Sequence, residues 1–171
     1  VVEIADSIEN GFINKDIYNL WFYNRVNGEI KKNLNSPFTQ NLDDLPLFNR
    51  KVWDKWVKRP DDYPAILLGR GCPFKCTYCA NHAMQKLAEG KFVRFRSPEH
   101  IIKELDYLVE EYPNMERVYL EVETFGANRK ASLEIFDALA EYNQNRSEPL
   151  KFAINLALTS GFMKNTARIH E

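Results

Sequence analysis

From residue 64 onward, short apolar runs alternate with amphipathic helical stretches, and this alternation leaves few folds open. "AILLGRG" (65–71) is an apolar run ending in glycines, suited to a buried strand that leads into a loop. "SPEHIIKELDYLVEEY" (97–112) is a helix that Ser97 can cap, with Pro98 in its first turn. Ile101, Ile102, Leu105, Leu108, Val109 and Tyr112 recur on one of its faces. "RVYLEVE" (117–123) reads as the next strand. "RKASLEIFDALAEYNQN" (129–145) reads as the next helix, with Leu133, Phe136, Leu139 and Ala140 facing inward, and "KFAINLALT" (151–159) as a third strand. Strand, helix, strand, helix, strand implies an α/β fold with parallel pairing and right-handed crossovers.

The first sixty residues follow another pattern. "IYNLWFYN" and "RVNGEIKKN" predict an apolar strand, a two-residue turn at Asn27-Gly28 and a polar return strand. "SPFTQNLDDLPLFNRKVWDKW" predicts an irregular segment wrapped over another surface, with Trp53 and Trp56 packed as anchors. The expected division is a connector over 1–60 and a core over 61–171. The chain starts with Val1 and runs out in "FMKNTARIHE", so it reads as a piece of a longer protein.

Composition narrows the function. With 44% hydrophobic and 27% charged residues the chain is globular rather than disordered. A net charge of -1 argues against a protein whose main business is coating nucleic acid or an anionic membrane. No apolar run approaches the roughly 20 residues that span a bilayer, and the first residues carry no secretory pattern. Three cysteines do not suit a disulfide framework, so the expected compartment is the cytoplasm.

All three thiols, Cys72, Cys76 and Cys79, lie in "GRGCPFKCTYCANH" (69–82), directly after the first strand of the alternation. In parallel α/β folds ligands gather at the carboxyl ends of strands. Short spacing lets three thiolates converge on one centre. With His82 they could close a Cys3His zinc tetrahedron. Without it they leave one iron of a [4Fe–4S] cluster open, since such clusters usually take four thiolates and the chain has no fourth.

"GCPFKCTYC" resembles the signature loop of the radical S-adenosylmethionine (radical SAM) superfamily, Cys-x3-Cys-x-aromatic-Cys, with Tyr78 at the aromatic position. The resemblance implies a partial (βα)6 barrel holding about its first three βα units. It implies Cys72, Cys76 and Cys79 as ligands of a [4Fe–4S] cluster whose open iron chelates S-adenosylmethionine. One electron then splits the sulfonium and yields a 5′-deoxyadenosyl radical. Tyr78 and Phe74 are implied as cofactor contacts, Tyr78 against the adenine. "RFRSPEHIIKELDYLVEEYPNMERVYLEVETFGANRK" is similar to the stretch after the cluster in members that also use cobalamin. Their second strand usually ends in an acidic pair. Here only Glu123 remains of it, and it is implied as the partner of the cofactor's ammonium. The connector resembles the segment after a cobalamin-binding domain, so cobalamin would be bound outside this chain. The implied reactions are methylations, cyclisations or rearrangements on a small-molecule, lipid or peptide-like substrate, with flavodoxin or ferredoxin as electron donor. A methylthiotransferase-like enzyme and a zinc-stabilised binding module are the alternatives.

Smaller features complete the reading. Arg70, Lys75, Lys86, Lys91, Arg94 and Arg96 face a single acid, Glu89, between residues 70 and 97, which reads as a solvated basic face or a field for an anion. His82 and His100 read as surface or helix-start residues, and Asn155 as a core or ligand-facing amide. A barrel cut after its third strand predicts self-association through residues 151–159, unless "IYNLWFYN" covers that edge.

Overall fold

The computed structural model describes residues 2–126 and 128–156. Its centre is a three-stranded parallel sheet in the order β3 (Ala65–Leu67), β6 (Arg117–Phe125), β7 (Lys151–Leu156). Before it come α1 (Val2–Glu9), the antiparallel pair β1 (Trp21–Tyr23) and β2 (Ile30–Lys32), a 3-10 turn (Leu42–Asp44) and the single-turn α2 (Lys51–Asp54). Between β3 and β6 lie β4 (Gly69–Arg70), α3 (Asn81–Met84), β5 (Arg94–Phe95) and α4 (Pro98–Glu111), while α5 (Arg129–Gln144) joins β6 to β7. The α/β alternation and parallel pairing are as the sequence predicts, with three parallel strands joined by two helical crossovers among the described residues.

The helices form where their caps and apolar stripes dictate. The Ser97 hydroxyl accepts from His100 N–H at 3.1 Å and Pro98 opens α4, each satisfying or removing an otherwise unmet amide. The Asn128 side chain caps α5 through Ala131 N–H. Ile101, Leu105 and Leu108 on α4 and Tyr112 at its C-cap meet Ile66, Val118, Leu120 and Val122 from one face of the sheet and Leu68 just after β3. Phe125 is fully buried against Phe136, ring centres 4.8 Å apart. Each such side chain contributes about 1.5–3 kcal/mol of burial, enough to hold two helices on one face of the sheet.

The alternate residues point to the opposite face. Tyr119, Glu121 and Glu123 lie there on β6, with Ala65 and Leu67 in register on β3, and both glutamates are exposed. If further strands closed this sheet into a barrel with the helices outside, that face would be its interior.

Several expectations are corrected. The first strand is two short ones: β3 pairs with β6, whereas β4 turns away to pair antiparallel with β5. The hairpin loop is six residues, Asn24 to Glu29, because the Asn24 and Asn27 side chains hold Val26 N–H and Glu29 N–H and widen it; Gly28 alone takes a positive φ of 75°. On α5 the inward stripe runs through Ser132, Ile135 and Leu139, which leaves Ala140 exposed one step off the face. Trp53 and Trp56 are 51% and 63% exposed, packed on each other at 5.7 Å, since α2 is too short to bury either. The aromatic strand β1 pairs only with β2 among the described residues. Residues 157–159 of the expected third strand lie outside the described residues.

Candidate functional site

The sheet delivers the cysteine loop from the carboxyl end of its first strand. After Leu67 the chain makes β4 against β5 and turns at Gly71, whose φ is +87°. A Cβ on Gly71 would lie 2.2 Å from the Phe92 carbonyl oxygen. Only glycine lets the root of the loop press so closely on the segment that follows it.

The loop itself carries Cys72, Cys76 and Cys79, all half-buried and none in a disulfide. Cys79 N–H donates to Cys76 O at 3.1 Å, giving the turn that leads into α3. Among the described residues no three His, Cys, Asp or Glu side chains are gathered around one metal-sized position. The thiols are arrayed along one loop, and the Cys3His tetrahedron with His82 is not formed. His82 Nδ1 is buried with no hydrogen-bond partner among the described residues. The donor set still fits an iron–sulfur centre: soft thiols in one loop, with no carboxylate between residues 69 and 82 to compete. Tyr78 is 92% exposed and Phe74 38% exposed, so both rings are available to a ligand.

Residues 35–41 form a strap along the far side of the loop. Phe38 N–H donates to Glu89 O at 2.9 Å, the Asn35 amide to Leu87 O at 2.6 Å, and Lys91 N–H to Gln40 Oε1 at 3.0 Å. The Phe38 ring packs on Phe92 at 5.3 Å. Arg94 lies over Phe38 and donates to Thr39 O at 2.6 Å. Burial and then the charge of Arg70 push the Arg94 pKa down, and the Glu123 carboxylate pulls it the other way.

Sequence reasoning missed a buried ion cluster behind the loop. Arg96 donates to Leu67 O at 2.8 Å and to Glu104 Oε2 at 2.5 Å, and Arg50 donates to Glu104 Oε1 at 2.8 Å and to Ala65 O. The two guanidinium groups thus occupy carbonyls on the edge of β3 that faces away from β6. The basic stretch is therefore not simply a solvated face, because Arg96 is its buried member. The signal was present in α4: Glu104 falls within the stripe of Ile101, Leu105 and Leu108, and an acid there demands a cation. His100 makes the predicted helix start, with Nδ1 3.1 Å from Asp43 Oδ1. Asn155 is exposed on β7.

Comparison with known proteins identifies the family. The radical SAM superfamily profile matches residues 66–161, and the chain belongs to that superfamily. It is 30% identical over 135 residues to an uncharacterized methyltransferase of Pyrococcus horikoshii, covering 78% of this chain and 28% of the relative. It is 31% identical over 94 residues to the hopanoid C-2 methylase of Rhodopseudomonas palustris, covering 55% and 17%. The chain thus spans under a third of the length of either relative. Its fold is similar to the cobalamin-dependent S-adenosylmethionine radical enzyme OxsB (TM-score 0.59, 17% identity, 88% of this chain and 21% of that one). It is also similar to the radical S-adenosylmethionine methyltransferase TsrM of Kitasatospora setae (TM-score 0.55, 13% identity, 88% and 30%). No helix among the described residues is long and apolar enough to cross a membrane.

Proposed function

We propose that this chain is part of the core of a radical SAM enzyme that methylates an unreactive carbon, with a [4Fe–4S] cluster on Cys72, Cys76 and Cys79, S-adenosylmethionine, and cobalamin bound outside the chain. The observation that carries the reading is the set of three thiols, free of disulfides, in the loop that leaves the carboxyl end of the first parallel strand. The names of both sequence relatives, a methyltransferase and a methylase, favour methylation over cyclisation or rearrangement. The structural neighbours, one cobalamin-dependent and the other with cobalamin and a [4Fe–4S] cluster bound, favour cobalamin.

The cluster, when bound, supplies single-electron reduction from a flavodoxin- or ferredoxin-like donor. The chain's own residues do the rest by binding and orientation. The thiolates are the ligands. Glu123, exposed on the interior face, complements an ammonium. The open rings of Tyr78 and Phe74 offer flat apolar surface to an adenine.

Anaerobic reconstitution with iron and sulfide tests the reading. The chain should turn brown and hold about four irons, and each single Cys→Ala variant should lose them. A single-cysteine variant that retains its irons refutes the ligand assignment. A colourless protein holding one zinc supports the Cys3His module, which the unpartnered His82 nitrogen favours.

A further inference from the structure

A cavity of about 350 Å³ opens between residues 42–50 and β3, within the roughly 300–1,000 Å³ range of small-molecule sites. One wall is apolar. Leu45, Leu47 and Phe48 form it, and Leu45 and Phe48 remain 48% and 54% exposed. The opposite wall is cationic. Arg50, Arg70 and Arg96 line it with one carboxylate, Glu104, so three positive charges less one negative leave two uncompensated. The remaining titratable group, His100, is engaged by Asp43.

Two of these guanidinium groups have unmet capacity. Arg70 is exposed and makes no hydrogen bond or ion pair among the described residues. It stands directly opposite Arg94 in the β4–β5 ladder, and like charges so placed repel. Arg94 is likewise without an ion pair among the described residues, its hydrogen bonds going to the backbone carbonyls of Phe92 and Thr39. Arg50 Nε–H is buried with no acceptor among the described residues, an arrangement native proteins rarely leave unmet. A negative group entering at Arg70 would offset the cross-strand repulsion and lie against the cationic wall that Arg50 also lines.

We propose that this cavity binds a small amphipathic anion, with a carboxylate or phosphate head at Arg70 and Arg50 and an apolar body along Leu45, Leu47 and Phe48. The site is separate from the thiols, and its occupancy needs no iron.

Titration of octanoate into the iron-free 171-residue chain, followed by calorimetry, tests this directly. Octan-1-ol and acetate each lack one half of the ligand. Saturable one-to-one octanoate binding is expected, with both controls at least about tenfold weaker. Arg70→Gln should weaken octanoate about tenfold by removing a charge-assisted contact. Phe48→Ser should bring octanoate close to acetate. Both side chains are exposed, and an unchanged thermal midpoint verifies that each variant folds. Arg117→Gln, outside the cavity lining, should change nothing. The proposal is overturned by the absence of saturable binding to the folded chain, by equal affinity for octan-1-ol, or by an Arg70→Gln variant that binds as before. Because the chain is titrated without iron, failure here is distinct from failure to assemble a cluster.

Discussion

Arg96 Nη1 and Glu104 Oε2 meet at 2.5 Å with side chains only 8% and 7% exposed. A buried pair of this kind adds little over an apolar pair of similar volume, but removing one partner strands the other charge at a cost of about 3–5 kcal/mol. Glu104→Ala should therefore destabilise the chain by about that amount in urea unfolding, with Arg50 and Arg96 both left uncompensated. A loss below about 1 kcal/mol, the value of an exposed pair, would mean that water reaches the cluster.

Two glycines with similar backbone angles should respond differently to alanine. Gly28, at φ +75°, has nothing within 4 Å of where a Cβ would stand, whereas Gly71, at φ +87°, would drive its Cβ to 2.2 Å from Phe92 O. Gly28→Ala should cost only the left-handed penalty of about 1–2 kcal/mol. Gly71→Ala should cost more and also lower iron uptake, because β4 can no longer approach β5. Equal unfolding midpoints for the two variants would show that the loop root can shift without consequence.

Alkaline pH should weaken the fold through Tyr112. Its hydroxyl donates to Asp54 Oδ1 at 2.9 Å. Burial, that hydrogen bond and the adjacent carboxylate push its pKa from 10.0 up to about 12. The folded chain holds this proton more tightly than the unfolded chain, so the stabilisation is complete below pH 10 and is lost as pH rises through 12. Urea midpoints of the wild type and Tyr112→Phe across this window should converge as pH rises. Parallel curves would assign the alkaline loss to other groups, Tyr119 and Tyr142 among them, whose pKa values burial also raises.

The two edges of the central sheet are unequal. Arg50 and Arg96 occupy carbonyls on the β3 edge, whereas β7 has no second strand partner among the described residues. An open edge recruits another strand, so light scattering over a concentration series should show dimers or larger species. Exchange protection of the 151–156 amides should rise with concentration. A strictly monomeric chain would mean that another segment covers this edge.

How far the sequence foretold this molecule depends on the range of the forces involved. The Ser97 cap, the α4 stripe and the three-strand alternation were legible because caps and periodicity act within one or two turns. The cysteine loop was legible as the loop that follows the first parallel strand, because its glycines and the apolar run before it are adjacent in sequence. The Arg50–Glu104 contact spans 54 positions, and no local pattern pairs residues so far apart, although Glu104 on an apolar stripe announced that some cation was needed. The hairpin formed as predicted, but its two-residue turn did not, for a local reason: asparagine side chains at 24 and 27 take the backbone amides that such a turn would have used.

The strap over residues 35–41 also changes the thermodynamics of capturing a metal. Gly71 is pressed against Phe92 at one end of the thiol segment, and Gln40 and Phe38 hold Lys91 and Glu89 at the other. The cysteines therefore sit in a loop already closed by the fold, and the entropy of bringing its ends together is lost when the protein folds rather than when the ligand arrives. Cutting the strap's hydrogen bonds would return that entropic penalty to the binding step, lowering affinity for iron even though every thiol remained in place.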